Sequence, residues 1–247
     1  MSTPIPSDAR PGMQTAQRER LAENLAEVRG KIAAAADRAG RSSDDVRLIA
    51  VTKYVDLETT EALFELGCCD LGESRPQQLW ARAEQFAARP VRWHMIGHLQ
   101  TNKAKRTAPV LSWLHAGDSL RLLKAVDAAA TADRRVQALL EINISGDAAK
   151  HGIAPDDAPR VLEEAAKLPH LEIRGLMGMA ALAGGVDVAR ANFAALRELR
   201  DRLAADAPDN IELTELSMGM SGDYQAAIEE GATMVRVGSS LFEGIER

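Results

Sequence analysis

RLIAVTK (residues 47–53) is a short apolar run that ends on a lysine. A run of this length and composition is typical of a buried β-strand. Similar runs recur along the chain in CDLGE (69–73), RWHMIG (92–97), SWLHAG (112–117), ALLEIN (138–143), EIRGLMGM (172–179), LTELSMG (213–219) and MVRVGS (234–239). Together with the first run, they predict eight strands.

Helical stretches separate these runs and carry start and stop signals. Asp56 is placed to cap one helix, Gly67 to end it, and Pro76 and Ser119 to open two others. Strands that alternate with helices in this way predict a parallel sheet, and eight such units favour a single closed (β/α)₈ TIM barrel. No G-x-G-x-x-G motif follows the first strand, which disfavours an open dinucleotide-binding sheet.

The two ends of the chain depart from the repeating pattern. Residues 1–13 contain three prolines and few apolar residues, which predicts a disordered tail before one barrel domain over residues 14–247. An extra N-terminal helix follows the tail, and no full eighth helix follows the last strand. We expect this first helix to cover the side of the barrel that lacks a helix. Its apolar stripe consists of Leu21, Leu25, Val28 and Ile32.

Composition excludes several classes of protein. The net charge of −6 and the pI near 5.5 give no electrostatic basis for binding nucleic acid or an anionic membrane. No apolar run approaches the roughly 20 residues of a membrane span, and no signal-peptide core is found, so we predict a cytoplasmic protein. The adjacent Cys68 and Cys69 and the spacing of the histidines predict no metal site. A monomer is expected, with a dimer left open.

Lys53 is the first candidate for chemistry, because active sites of such barrels lie at the carboxyl ends of the strands. An amine at an apolar barrel mouth is costly to keep charged, and a neutral amine is nucleophilic enough to form a Schiff base with a carbonyl. A lysine that extends to solvent at the rim is the alternative interpretation.

The loops after the seventh and eighth strands are candidates for binding an anion. SMGMSGD (217–223) supplies Ser217, Gly219, Met220 and Ser221, and RVGSS (236–240) supplies Gly238 and Ser239. Glycines let backbone amides approach an anion closely, and these two loops often bind phosphate in barrels. Either loop alone is also consistent with an ordinary turn. A nucleophilic lysine facing a phosphate site suits a ligand with an aldehyde and a phosphate, namely pyridoxal 5′-phosphate (PLP).

Four further residues are assigned less definite places. Arg236 shares a strand face with Gly238, and it either offsets phosphate charge or forms an ion pair outside the barrel. Ser217 is placed to hydrogen-bond a pyridine nitrogen. His94 and Asn143 fall near strand ends, where they either line the pocket or are satisfied inside the barrel.

Several long motifs resemble those of the pyridoxal phosphate homeostasis proteins, a family similar to the alanine racemase N-terminal domain. The motifs are LIAVTKY (48–54), WHMIGHLQTNKAK (93–105), EINISGDAAKHGI (141–153) and LSMGMSGDYQAAIEEGATMVRVGSSLF (216–242). The resemblance runs from about residue 15 to the end of the chain. It implies a barrel that holds PLP as a Schiff base on Lys53, serves vitamin B6 homeostasis without established turnover, and has PLP-dependent apoenzymes as recipients.

Three positions depart from the family pattern. Ser74 stands in GES where GEN is expected, so the contact that the asparagine would make is in doubt. His98 stands where proline is common, and Ser239 replaces a threonine while keeping the hydroxyl.

Two enzymatic alternatives use the same residues. A PLP-dependent amino-acid racemase or decarboxylase of the alanine racemase type has the same barrel, but a racemase also needs a second base. In that type an extra β domain supplies the base, and we expect this chain to lack it because the sequence ends just after the eighth strand. A Schiff-base aldolase for a phosphorylated sugar would use Lys53 and the phosphate loops without PLP.

Overall fold

The computed structural model describes residues 13–147 and 151–245. Within these residues, eight parallel strands pair in chain order and close into a barrel. The strands are β1 (Arg47–Val51), β2 (Asp70–Glu73), β3 (Arg92–Met95), β4 (Trp113–Gly117), β5 (Val136–Ile142), β6 (Leu171–Gly178), β7 (Glu215–Met220) and β8 (Met234–Val237). The predicted TIM barrel is confirmed.

Helices surround the barrel in the described parts of the chain. They are α1 (Thr15–Arg38), α2 (Leu57–Glu65), α3 (Pro76–Gln85), α4 (Ala104–Thr107), α5 (Leu120–Asp127), α6 (Ala158–Ala165), α7 (Gly185–Ala205) and α8 (Tyr224–Glu229). Short 3₁₀ turns cover Ser43–Asp45, Thr101–Lys103, Ala108–Val110, Pro155–Asp157 and Ser239–Leu241. The predicted cap at Asp56 is confirmed, because its carboxylate accepts a hydrogen bond of 2.8 Å from the Thr59 amide.

Helix α1, the extra N-terminal helix, covers the side of the barrel where the described residues contain no helix after β8, as predicted. In the described residues, β8 is followed by the 3₁₀ turn Ser239–Leu241 and by no helix, and α1 packs against this turn and against α8. The buried Asn24 amide donates to the carbonyl oxygens of Leu241 (3.1 Å) and Glu243 (2.9 Å), which joins the start of the chain to its end.

The tail predicted for residues 1–13 lies almost wholly outside the described residues. Met13 is its one described residue, and its side chain packs against the main core. No helix in the described part of the chain combines the length and the apolar character that a bilayer span requires.

Two apolar clusters stabilise the barrel. The larger one packs the outer face of the sheet against the helices, and it includes the whole α1 stripe predicted from the sequence. The smaller one consists of Ile49, Trp113, Ala116, Leu139, Met177 and Met234. Side chains alternate between the faces of a strand, so residues two positions beyond a member of the smaller cluster also face the barrel interior. This rule places Val51 above Ile49 and Arg236 above Met234.

The strands end earlier than the apolar runs suggested. Strand β1 ends at Val51 and β8 ends at Val237, so Lys53, Gly238 and Ser239 lie in the loops that follow. After β1 the chain leaves the ladder to reach α2, and after β8 it enters the 3₁₀ turn Ser239–Leu241. Lys53 is therefore positioned by its loop and not by strand pairing.

A buried ion pair holds the loop of Lys53. Arg82 of α3 donates to the carbonyl oxygens of Thr52 (2.9 Å) and Val55. It also pairs with the Glu73 carboxylate at 2.5 Å, and the Thr52 hydroxyl donates to the same carboxylate oxygen at 2.5 Å. Burial raises the pKa of Glu73, although Arg82 and Thr52 oppose the rise. We call Arg82, Glu73 and Thr52 the loop clamp.

We predict that Arg82→Ala lowers the free energy of unfolding by about 3–5 kcal/mol, because it leaves the Glu73 charge buried without its partner. Chemical denaturation of the wild type and the variant measures this loss. The matched control is Arg160→Ala, which removes an exposed ion pair with Asp157 and should cost less than about 1 kcal/mol. Equal, small losses in both variants would show that the clamp does not stabilise the fold.

Candidate functional site

A cavity of about 670 Å³ opens where the carboxyl ends of the strands meet. This volume lies within the range of small-molecule sites in proteins. Seven of the residues predicted for the site line this cavity: Lys53, Ser74, Met220, Ser221, Arg236, Gly238 and Ser239. Four others, which are Gly219, Ser217, His94 and Asn143, are outside its lining.

Lys53 is half-buried on one wall of the cavity. Its Nζ lies 4.9 Å from the centre of the Tyr54 ring, which is itself largely exposed. The loop clamp fixes the backbone on both sides of Lys53, while the amine itself remains accessible from the cavity. The amine is thus held in position and able to react with a ligand.

The loops after β7 and β8 form the neighbouring wall. The Gly238 amide donates to the Ser221 hydroxyl oxygen at 3.1 Å, which joins the two loops. Ser239 and Ser240 open a 3₁₀ turn, so their amides have no acceptor within that turn. Hydroxyl and amide donors are therefore concentrated at this end of the cavity, as an anionic group requires.

Gly219 supports this wall without lining the cavity. Its φ is +90°, and a Cβ there would lie 2.6 Å from the Cβ of Ala227 and 2.8 Å from the Cα of Tyr224. The glycine therefore lets the end of β7 turn tightly against α8. Its contribution to the site is the course of the backbone, and a direct contact with a ligand is not supported.

Arg236 points into the barrel, so the interpretation of an ion pair outside the barrel is wrong. Its Nη1 donates to the carbonyl oxygen (2.8 Å) and the hydroxyl oxygen (2.5 Å) of Ser217, and its Nη2 donates to the carbonyl oxygen of Gly178 at 3.2 Å. Burial lowers the pKa of Arg236 to about 10, while the charges of Glu141 and Asp223 oppose this shift. A buried guanidinium thus forms part of the cavity.

Ser217 is fully buried and does not reach the cavity. Its hydroxyl lies between Arg236 and the Nδ1 atom of His115, which is 2.8 Å away. Both hydrogen-bonding directions are therefore occupied, and a bond from Ser217 to a pyridine nitrogen is not supported. The sequence placed Ser217 at the end of the seventh strand but did not show how deep it lies.

His94 belongs to a hydrogen-bonded chain inside the barrel and not to the cavity. Its Nε2 lies 2.9 Å from the Asp70 carboxylate, and its Nδ1 lies 2.9 Å from the Nε2 of His115. The chain therefore runs from Asp70 through His94, His115 and Ser217 to Arg236. We call it the interior chain.

The protonation of the interior chain follows from its acidic end. Burial opposes ionisation of Asp70, but hydrogen bonds from Arg92 and His94 hold the pKa of its carboxyl well below its usual range. Burial lowers the pKa of both His94 and His115, although Asp70 opposes the shift at His94, and this favours the neutral form of both rings.

An ionised Asp70 fixes the direction of every bond in the chain. It accepts from His94 Nε2–H, so His94 Nδ1 must accept from His115 Nε2–H. His115 Nδ1 then accepts the Ser217 hydroxyl proton, which leaves the Ser217 oxygen to accept from Arg236. The interior chain therefore connects a carboxylate at the amino end of the barrel with the guanidinium at the cavity.

Asn143 stabilises a turn beyond β5. Its amide nitrogen donates to the carbonyl oxygen of Asp147 at 2.8 Å, and its amide oxygen accepts from the Ser145 hydroxyl at 3.3 Å. These bonds hold the chain just before residues 148–150, which include Lys150 of the EINISGDAAKHGI motif and lie outside the described residues.

Glu141 lines the cavity and was missed in the sequence analysis. Burial raises the pKa of its carboxyl to about 7, and the neighbouring Asp118 charge adds to the rise, while Arg236 and His98 oppose it. A signal was present in ALLEIN: Glu141 is the one charged residue of that run and lies two positions beyond Leu139, which faces the interior.

Comparison with known proteins finds relatives that match nearly the whole chain. Residues 17–245 match the family model of the alanine racemase N-terminal domain. A pyridoxal phosphate homeostasis protein of Pseudomonas aeruginosa is 38% identical over 90% of this chain and 94% of its own length. PipY of Synechococcus elongatus, solved with PLP bound, is 34% identical with a TM-score of 0.79 over 90% of this chain and 99% of that one.

A more distant structure shares the fold alone. An alanine racemase of Clostridium difficile has a TM-score of 0.71 at 16% identity, and the match covers 91% of this chain and 56% of the racemase. The match to the family model spans nearly the whole barrel, from within α1 to the residues after β8. This chain therefore belongs to the alanine racemase N-terminal domain family.

Proposed function

We propose that this protein binds PLP as a Schiff base on Lys53 and serves PLP homeostasis. The observation that carries the proposal is the composition of one cavity. It brings a lysine amine from the loop after β1 together with hydroxyl and amide donors from the loops after β7 and β8. PLP carries an aldehyde and, on the neighbouring ring carbon, a methylene that bears a phosphate, so it needs both of these partners. Among the described lining residues, Lys53 is the only primary amine.

Each part of the cavity has a distinct task in this proposal. Lys53 bonds the aldehyde carbon, and Ser221, Ser239 and the adjoining amides bind the phosphate. Arg236 offsets part of the phosphate charge from within the cavity. Ser74 lies in the lining where the family pattern has asparagine, so its shorter side chain offers a hydroxyl in place of an amide. When bound, the cofactor supplies an electron-withdrawing ring.

The relatives support the same assignment. The relative from Pseudomonas aeruginosa is named for PLP homeostasis. PipY, whose structure was solved with PLP bound, is 34% identical to this chain. From these names we infer that this chain also holds PLP reversibly and supplies PLP-dependent apoenzymes. We further propose a cytoplasmic protein that is a monomer, with a dimer left open. Reversible holding suits a cavity whose reactive lysine is half-buried and not sealed from solvent.

We predict that Lys53→Ala abolishes the visible absorption band that PLP gives when bound as a Schiff base. Borohydride reduction of the wild type should leave a phosphopyridoxyl group on the peptide that contains Lys53, because reduction makes the carbon–nitrogen bond permanent. Mass spectrometry of the digested protein locates the group.

Lys103→Ala is the matched control, because Lys103 follows β3 and is outside the cavity lining. It should keep both the visible band and the adduct on Lys53. An adduct on another lysine, such as Lys150, with Lys53 unmodified would refute the assignment. Circular dichroism checks that Lys53→Ala retains the fold.

We predict that the affinity for PLP falls as the pH rises through about 7, because the pKa of Glu141 lies near this value. Above it, Glu141 becomes an anion within a cavity that receives an anionic ligand, and like charges repel. Titrations of PLP from pH 6 to pH 8 measure the change in Kd.

The Glu141→Gln variant isolates this effect, because its side chain has a similar size and no titrating proton. The ionisations of PLP are common to both proteins, so the ratio of the two Kd values follows Glu141. A ratio that stays constant between pH 6 and pH 8 would show that Glu141 does not control binding.

A further inference from the structure

Three side chains with metal-ligating atoms meet at the rim of the barrel. We call His98, Asp118 and His151 the rim cluster, and their ligand atoms all lie within 4.8 Å of one another. His98 follows β3, Asp118 directly follows β4, and His151 lies in the loop after β5. The carboxyl ends of three consecutive parallel strands bring these residues together, although 53 positions separate the first from the last in the sequence.

The Asp118 carboxylate is held in place at the base of the rim cluster. Its side chain is only 9% exposed. One carboxylate oxygen accepts from the Ser119 hydroxyl at 3.0 Å, and the other lies 2.8 Å from His98 Nδ1. A ligand whose second oxygen is hydrogen-bonded has a fixed orientation, which is the usual support of a protein metal site.

The two histidines stand side by side above this carboxylate. Their rings stack with centroids 4.4 Å apart and an angle of 13° between their planes. Both side chains are exposed, which leaves room for the rings to rotate. Since an imidazole lone pair lies in the plane of its ring, parallel rings cannot direct their nitrogens at one ion, and coordination requires the rings to turn out of this stack. Ligands about 2.0–2.1 Å from a tetrahedral ion lie about 3.4 Å from one another, so the ligand atoms must also move closer together.

We propose that the rim cluster binds one zinc ion through His98, Asp118 and His151. Two imidazoles and one carboxylate are ligands that zinc accepts, whereas magnesium and calcium prefer sites made of oxygen atoms alone. Water fills the fourth position of the tetrahedron.

This site is separate from the residues that hold PLP in the proposed function. Neither His98 nor His151 occupies a defining position of the family motifs, and His98 stands where proline is common. Both histidines nevertheless line the cavity as well as the groove outside it. A bound ion would join the loops after β3 and β5 and fix the wall of the cavity that faces away from the loops of β7 and β8.

Spacing alone could not reveal this site, and the sequence analysis predicted no metal. The three residues belong to three different strand-to-helix connections, so no short motif contains two of them. Only the closed barrel places His98, Asp118 and His151 next to one another.

Calorimetric titration of the tag-free protein with zinc chloride, in the absence of PLP, tests the proposal. We expect one ion per chain, and we expect His98→Gln and His151→Gln each to weaken binding by more than about tenfold, because loss of a direct ligand should exceed the effect of losing an outer partner. Zinc should also raise the Tm of the wild type and leave that of both variants unchanged.

Two control variants locate the metal. His170→Gln alters another histidine paired with an aspartate, Asp127, at the amino end of β6, and Cys69→Ser removes a partly exposed thiol. Both should bind zinc as the wild type does. Wild-type affinity in His98→Gln or His151→Gln would refute the proposal, and loss of binding in Cys69→Ser would place the ion at the thiol and refute it equally. Thermal melts without zinc confirm that each variant is folded.

Discussion

Pairing of β1 with β8 is the constraint on which the site depends. Ala50 lies opposite Val237 in this ladder, so the loop that carries Lys53 emerges beside the loop that carries Gly238. A Cβ on Gly238 would lie 3.4 Å from Val51, which shows how closely the two loops approach. Residues almost 190 positions apart, roughly three quarters of the chain length, thereby form one wall. An open sheet would leave the lysine and the donor loops at opposite edges.

The interior chain of hydrogen bonds makes a polar barrel centre tolerable. Burying a guanidinium and two imidazoles is costly unless every polar atom finds a partner. Here the ionised Asp70 determines which nitrogen of each ring carries the proton, and the sequence of donors ends at Arg236. The cation at the cavity is consequently part of a chain that extends through the barrel, and its orientation does not depend on a ligand.

Sequence reasoning located the elements and much of the lining of the cavity. Apolar runs reveal buried parallel strands, because both faces of such strands are covered. Lys53 was identifiable because it ends the first of these runs, and the loops of β7 and β8 because their glycines and serines stand out. Side-chain period also placed Arg236 on the same face as Gly238, but it left open whether that face is inside or outside.

Depth within the barrel and contacts across it were not predictable in the same way. Ser217 and His94 face inward as strand residues. Only the three-dimensional arrangement shows that both are hydrogen-bonded to other side chains beneath the cavity. Glu141 was overlooked because a single charged residue in an apolar run looks like an exception to the strand pattern when its surroundings are unknown. The rim cluster illustrates the same limit, since its members share no local motif.

The cavity has one wall whose loops are fixed by hydrogen bonds and a second wall whose side chains respond to pH and to metal ions. On one side, the loop clamp and the bond between Ser221 and Gly238 hold the loops of β1, β7 and β8. On the other side, Glu141 supplies a carboxyl group with a pKa of about 7, and His98 and His151 belong to the proposed zinc site. The first wall therefore sets the geometry of ligand binding, whereas the second wall can change the affinity for the ligand. A protein that holds a reactive aldehyde and later releases it needs both properties, because a rigid cavity alone would fix one affinity under all conditions.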